Sequence, residues 1–277
     1  MSDAGAFTPK LLALDIDGTL LVPMAGSGIS AEQVTPAVRK AIDRAVDAGC
    51  HIVLASGRSP LSMSHVLGHL GLPRGTAAAP ALVVASNGAV TFSFPPMAVI
   101  TEVTFDAREA VQTVLAHVPD AAVAVEEHGI GYRVNRHFPV GELDGEMIVT
   151  PIGEIFAKEV SRVIIRDPES TSEDFVTLAR RLGLHGTNYF IGWTAWLDIA
   201  PEGVSKASGL AEIAGMLEVE QRNVLAIGDG RNDIEMLEWA GRGVAMGQAP
   251  DEVKAIADDV TETVDLDGAA LEIDRWF

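Results

Sequence analysis

The chain has 277 residues, 48% hydrophobic and 21% charged, enough to bury a substantial core as one large α/β domain or two smaller units. A net charge of −19 argues against nucleic acid, which would demand a basic face, and no stretch has the roughly 18 uninterrupted apolar residues of a membrane span. The single cysteine, Cys50, leaves no intramolecular disulfide framework and fits a reducing cytoplasm.

The N-terminal MSDAGAFTPK has neither a basic start nor an apolar run, so no secretory signal is expected there. Residues 10–16 and 51–55 are apolar and β-branched without clear alternation, the pattern of strands buried on both faces of a parallel sheet. Cys50 stands just before the second run and reads as a small buried hydrophobe. Between the two strands, TPAVRKAIDRAVDAG predicts a helix, with Thr35 as N-cap, Pro36 in the first turn, an apolar face of Val38, Ile42, Ala45 and Val46, and Gly49 as C-cap. Ser59-Pro60 repeats that start signal for a helix closed by Gly71, and ALVVAS (81–86) is a third strand ahead of the turn Asn87-Gly88.

The character changes near residue 91. TFSFPPMAV carries two prolines, a helix is expected after Asp106, AAVAVEEHGIGYRV reads as a hairpin around Gly129, and a polar loop runs through residue 150. Residues 161–167 and 187–199 read as strands flanking a helix at 172–182. Strand-helix alternation then resumes with a helix from Ser205 to about Leu217, a strand at 223–228, a helix over IEMLEWA and the strand GVAM. The expectation is one α/β core made from residues 1–90 and 197–277, with a smaller α+β domain of residues 91–196 inserted into it.

Ligands of an open parallel sheet bind at the carboxyl ends of its strands. Four polar clusters follow strands in this chain: DIDGT (15–19), SGR (56–58), GVSKASG (203–209) and GDGRND (228–233). Asp15 and Asp17 are spaced i, i+2 and would face one side of an extended chain. Two carboxylates near 4 Å repel by about 4 kcal/mol at an effective dielectric of 20. Asp229 adds to that repulsion, so the set calls for a cation, and oxygen-only ligands with room for phosphate and water favour Mg²⁺. Lys206 supplies a second positive charge at a helix start, where a cation opposes the dipole and needs a reason to be. Ser56 offers a hydroxyl beside backbone amides, so nucleophile, proton carrier and cations are all present for phosphoryl transfer.

DIDGTL, SGR, VSKASGL and GDGRNDIEML resemble, in order and spacing, the four motifs of the haloacid dehalogenase superfamily. With VVASNGAV, the long insert and GVAMGQAPDEVKAIAD, the chain is similar to the Cof-type subfamily of Mg²⁺-dependent phosphatases, which carry a class IIB cap. That resemblance implies a Rossmann-like core with an α+β cap. It implies Asp15 as nucleophile and metal ligand, Asp17 as acid/base with its backbone carbonyl on the metal, and Thr19 orienting Asp17. It also implies that Ser56, Gly57, Arg58 and Lys206 surround the phosphoryl group, that Asp229 ligates Mg²⁺, and that Asn232 and Asp233 contact phosphate or the metal's surroundings. Asn87 reads equally as a substrate contact or a plain turn residue.

Other clusters carry less. His65 and His69 have helical metal-pair spacing but no acidic third ligand, so a helix surface is the expectation. GRGVAMG (241–247) lacks the GxGxxG spacing and precedes its strand, which rejects a dinucleotide loop. The insert's aromatics Tyr132, Phe138, Tyr189, Phe190, Trp193 and Trp196 read mostly as core, with one or two lining a pocket. The leading expectation is a phosphatase of a small phosphorylated metabolite, with sugar phosphates first by resemblance, working as a monomer or weak homo-oligomer. A phosphomutase of the same superfamily is the enzymatic alternative. A signalling phosphoacceptor is set aside because receiver domains have about half this length and no cap. A silent phospho-ligand binder is disfavoured by the intact Asp15, Asp17, Lys206 and Asp229.

Overall fold

The computed structural model describes residues 7–22, 34–71, 75–127, 129–167, 170–171, 173–174, 177–178, 187–191 and 196–277. Two sheets organise them. The first has eight strands in the order β14-β13-β12-β1-β2-β3-β4-β5. Its parallel part consists of β1 (Leu11–Leu14), β2 (His51–Ala55), β3 (Ala81–Ala85), β12 (Val224–Gly228), β13 (Arg242–Ala245) and β14 (Asp259–Val260). The chain leaves β1 on one side through β2 and returns on its other side at β12, so β1 lies where the strand order reverses. That reversal is the place where open α/β sheets form a crevice.

Alternate β1 residues enter opposite cores, which explains a continuous apolar run without alternation. Leu12 and Leu14 pack with Ala41, Ile42 and Ile273 on one face, while Leu11 and Ala13 pack with Leu210, Ile213 and Met236 on the other. The first face is covered by the helices Pro36–Asp47, Pro60–Leu70 and Gly268–Ile273, and the second by Lys206–Met216, Ile234–Trp239 and Asp251–Ile256. Thr35 and Ser59 cap the first two helices, each side chain accepting from the backbone amide three residues on, with proline in the first turn as expected.

The second sheet runs β10-β11-β9-β6-β7-β8, formed by Thr187–Ile191, Trp196–Pro201, Val163–Arg166, Ala122–Glu127, Gly131–Val134 and Glu146–Val149 respectively. One face packs with the helix Arg108–Leu115 through Val111, Val114, Val123, Val125 and Ile165. Tyr132, Phe138 and Trp196 belong to a cluster on the opposite face, as expected of core aromatics, with Phe138 and Trp196 edge-to-face at 6.1 Å. The side chains of Tyr189 and Phe190, the whole of Trp193, and most of the helix expected at 172–182 fall outside the described residues.

Three readings need correction. Residues 187–199 are not one strand, since β10 and β11 pair antiparallel with Tyr189 opposite Ile199. Alternation continues on both sides of a reversal and does not register it. The stretch read as a loop through residue 150 contains β8, an edge strand of four residues whose apolar Met147, Ile148 and Val149 make too short a run for alternation to mark. Finally, the sheets do not change at residues 90 and 197: β4 (Val90–Phe94) and β5 (Ala98–Glu102) extend the first sheet antiparallel, and β11 continues the second to Pro201. β4 buries Val90, Thr91 and Phe92 while β5 is largely solvated, and an antiparallel edge pair of that kind differs in composition from strands buried on both faces, which resembled a domain change.

Candidate active site

β1 ends at Leu14, and the chain turns from Ile16 onward. The amides of Leu20 and Leu21 donate to the carbonyl of Ile16, both at 2.9 Å, and the amide of Gly18 donates to the Leu21 carbonyl at 2.8 Å. Ile16 is fully buried in the core, which anchors the turn. The Asp15 amide still donates to the Ile227 carbonyl of β12 at 3.1 Å, so the first acid stands at the end of the ladder and the second at the start of the turn. Asp15 is buried and Asp17 is partly exposed, each with its own cation. Gly18 sits at φ +85°, and a Cβ there would collide with the carboxylate of Asp229, so glycine permits both the turn and the close approach.

Lys206, the first residue of its helix, is completely buried, and its Nζ donates to Asp15 Oδ1 and Asp233 Oδ1, each at 2.6 Å. These two charge-assisted bonds explain a cation at the positive end of a helix. Asp233 Oδ2 accepts from the amides of Asp229 and Gly230 at 2.9 and 2.8 Å. Asp233 therefore fastens Lys206 to the turn after β12. Gln248 Nε2 donates to the Gly18 carbonyl at 2.6 Å and to Asp229 Oδ2 at 3.3 Å.

Carboxylate oxygens of Asp15, Asp229 and Asp233 all lie within 4.8 Å of one another. Burial and the neighbouring Asp233 raise the Asp15 carboxyl from its ordinary 3.8 to about 7, despite the Lys206 ammonium against it. Burial, with Asp15 and Asp233 nearby, also holds Asp229 well above the usual carboxylate range. Burial alone would lower Lys206, but the two carboxylates overcome it and keep the ammonium charged. Three buried acids against one lysine leave excess negative charge on oxygen-only donors, which suits a hard divalent cation. Thr19 Oγ1, one residue past Gly18, is buried with no hydrogen-bond partner among the described residues. The carboxylate of Asp17 lies outside this group.

Ser56 follows β2 and is buried, its Oγ accepting from the amide of Arg58 at 3.2 Å. Gly57 lies under the side-chain amide of Asn87, whose Oδ1 would be 3.0 Å from a Cβ at position 57. Asn87 is buried, and its Oδ1 accepts from Asn232 Nδ2 at 2.9 Å, which ties the SNG turn to the GDGRND turn. Gly88, at φ +99°, lets that turn lie against the backbone of Ser205, where a Cβ would collide. Arg58 turns its guanidinium onto Asp17, with Nε and Nη2 donating to Oδ2 and Oδ1 at 2.8 and 2.7 Å.

A buried network absent from the sequence expectations joins the two sheets beside Asn87. Arg162 donates twice to Asp198, both at 2.8 Å, and once to Glu126 at 2.9 Å. From the first sheet's side, Ser86 donates to Glu126 at 2.8 Å and Asn87 to Asp198 at 3.2 Å. Glu126 shares its strand face with Ala122 and Ala124 by period two, and Asp198 shares one with Trp196, so both acids leave the same side of the second sheet. A signal existed: a single acid inside the apolar run WLDIAP, and an arginine immediately before VII. His65 and His69 are exposed and share a helical contact, His69 Nδ1 to the His65 carbonyl. Cys50 is buried and its thiol is pushed up to about 12 by that burial, consistent with an inert apolar role.

A family model of the haloacid dehalogenase-like hydrolases matches residues 12–273. The chain is 31% identical to a 5-amino-6-(5-phospho-D-ribitylamino)uracil phosphatase, YitU of Bacillus subtilis, covering 97% of this chain and 98% of that one. It is 28% identical to the pyridoxal phosphate phosphatase YbhA of Escherichia coli, over 93% and 96%. Among solved structures, BT1666 of Bacteroides thetaiotaomicron, described among phosphatases of the haloalkanoate superfamily, has a TM-score of 0.75 and 30% identity, covering 100% of this chain and 98% of that one.

Proposed function

The chain belongs to the haloacid dehalogenase-like hydrolases, and from that premise we propose that it is a Mg²⁺-dependent phosphatase of a small phosphorylated metabolite, working through an aspartyl-phosphate. The observation that carries this reading is the buried group of Asp15, Asp229 and Asp233 around Lys206, at the carboxyl ends of β1 and β12. Asp15 Oδ attacks phosphorus, and the bond from phosphorus to the leaving oxygen breaks. Asp17 gives that oxygen its proton. The same carboxylate then takes a proton from a water whose oxygen attacks phosphorus, which breaks the bond to Asp15 and releases phosphate.

Lys206 and the hydroxyl and amides around Ser56 hold the phosphoryl oxygens, and Lys206 favours the ionised form of Asp15 and aims it. Asp15, Asp229 and the backbone carbonyl of Asp17 would hold Mg²⁺, with Asp233 behind them. When bound, the ion neutralises the buried acids and draws charge from the phosphoryl oxygens. Residues from about 103 to 201 serve as the cap that excludes water and reads the leaving group. The breadth of phosphate esters in the relatives' names, from a ribitylaminouracil to pyridoxal, supports a metabolite substrate.

Phosphate release from a panel of phosphorylated sugars, cofactors and nucleotides, with and without Mg²⁺, tests reaction and substrate together. EDTA and Asp15→Asn each abolish hydrolysis of p-nitrophenyl phosphate on this mechanism. Near-normal turnover by the Asn variant eliminates covalent catalysis. Release that depends on a bisphosphate activator, with transfer to a second hydroxyl, makes the protein a phosphomutase.

A further inference from the structure

Among the four clusters, SGR differs from its expected role: Arg58 points at a carboxylate. Its Nε and Nη2 meet both oxygens of Asp17, and Nη1 donates to Ser62 Oγ at 3.2 Å. Ser62 is buried and donates to Asp144 Oδ2, which comes from the segment between β7 and β8 of the second sheet. Burial works against the guanidinium charge, yet Asp17 first, and then Asp144 and Asp15, hold it above its ordinary proton affinity. We propose that Arg58 is a positioning residue for the proton-carrying carboxyl group of Asp17, and that Ser62, itself held by Asp144 from the cap side, steadies the guanidinium. This rests on the phosphatase reading.

The physical reason lies in the terminal torsion of aspartate, which is broad and leaves the carboxyl plane free to swing. A guanidinium fork bonded to both oxygens fixes that plane and leaves one lone-pair direction on each oxygen for the reaction. Proton transfer needs the oxygen about 2.6–3.2 Å from its partner and correctly directed, so a swinging carboxyl transfers poorly. As the bond from phosphorus to the leaving oxygen breaks, the carboxyl proton moves to that oxygen and the alcohol departs neutral. The three guanidinium nitrogens are engaged with Asp17 and Ser62, so on this reading Arg58 acts through Asp17 and not on the phosphoryl group. An arginine on the phosphoryl group would aid every ester alike, whereas one acting through Asp17 matters in proportion to the leaving group's need for a proton.

A series of aryl phosphates, from 4-nitrophenyl through phenyl to 4-methoxyphenyl, separates the two roles. kcat and KM are measured with Mg²⁺ for wild type, Arg58→Lys, Asp17→Asn and the double variant. Lysine keeps the charge but loses the fork. The expected result is a loss on the order of tenfold or more for the poorest leaving group and under about threefold for 4-nitrophenyl, since a positioned acid contributes roughly 10²–10⁴-fold in all. In the Asp17→Asn background the lysine substitution adds nothing further. Ser62→Ala and Asp144→Asn, which keep Arg58, produce smaller losses of the same slope. A uniform loss across the series with raised KM, or additive losses in the double variant, overturns the inference alone. Unchanged slopes in all three of Arg58→Lys, Ser62→Ala and Asp144→Asn do the same. Wild-type protein that hydrolyses none of the series overturns the phosphatase reading and this inference together.

Discussion

Replacing Lys206 by methionine keeps the volume of a fully buried side chain and removes its charge. The ammonium makes 2.6 Å bonds to Asp15 and Asp233, both buried, with Asp229 in the same group. Removing one partner from a buried ion pair costs about 3–5 kcal/mol, because the remaining charge stays in a medium that cannot solvate it. For a chain of this size that is a fall in Tm of roughly 6–20 °C, at about 2–4 °C per kcal/mol. The deficit must also depend on pH, with a definite sign. Asp15 binds its proton more tightly in the folded chain than in the unfolded one, so its contribution to stability is complete below 3.8 and is lost as pH rises through about 7. Without Lys206 the acids hold their protons more tightly still, so acidification discharges the repulsion and restores the variant. Thermal unfolding followed by circular dichroism in EDTA, at pH 7.5 and pH 5, is the assay. A deficit under about 1 kcal/mol at pH 7.5, or one equal at both pH values, refutes the electrostatic account, since breaking a buried pair should cost about 3–5 kcal/mol.

Mg²⁺ added to EDTA-treated protein should raise the unfolding free energy by about 2.7 kcal/mol at a hundred times its dissociation constant, seen as a higher Tm, and more at pH 8 than at pH 5, where protons compete for the same carboxylates. Asp229→Asn should remove most of that increment, and an undiminished shift in differential scanning calorimetry would take Asp229 out of the metal site. Arg162→Met leaves Glu126 and Asp198 buried without their cation, so a loss of about 3–5 kcal/mol is expected in urea unfolding at neutral pH. A neutral result there makes the network dispensable to folding.

The legible part of the site was the part written in local pattern. Apolar runs that end in DID and GDG placed acids at strand ends, and a lysine at a helix start posed a question that two carboxylates answer. The pairing of Asp17 with Arg58 was hidden because the two residues lie 41 apart in sequence, after different strands, and local pattern does not show which side chains meet across a sheet edge. The Arg162 network was hidden for another reason: its members lie 36 residues apart in sequence on separate strands, and single charges in half-buried strands read as solvated faces. Gln248 had no signal beyond its place after a strand, since nothing local shows that it reaches back to Gly18. Helices with a side-chain cap were read well because caps are local, while Asp251–Ile256 and Gly268–Ile273, which have no side-chain cap bond, were not expected, and strand partners are chosen by tertiary contact.

The position of β1 also bears on how the chain is made. Its residues Leu11–Leu14 pair on one side with His51–Leu54, which follow soon after, and on the other with Val224–Ile227. At about 5–20 residues per second, a ribosome delivers that second partner roughly ten to forty seconds after the first strand. Throughout that interval one edge of an apolar strand offers unpaired backbone groups to any neighbouring chain. Nascent chains released before residue 224 keep that open edge and carry no Lys206–Asp233 contact, so truncation should yield aggregating fragments and not a weakened enzyme.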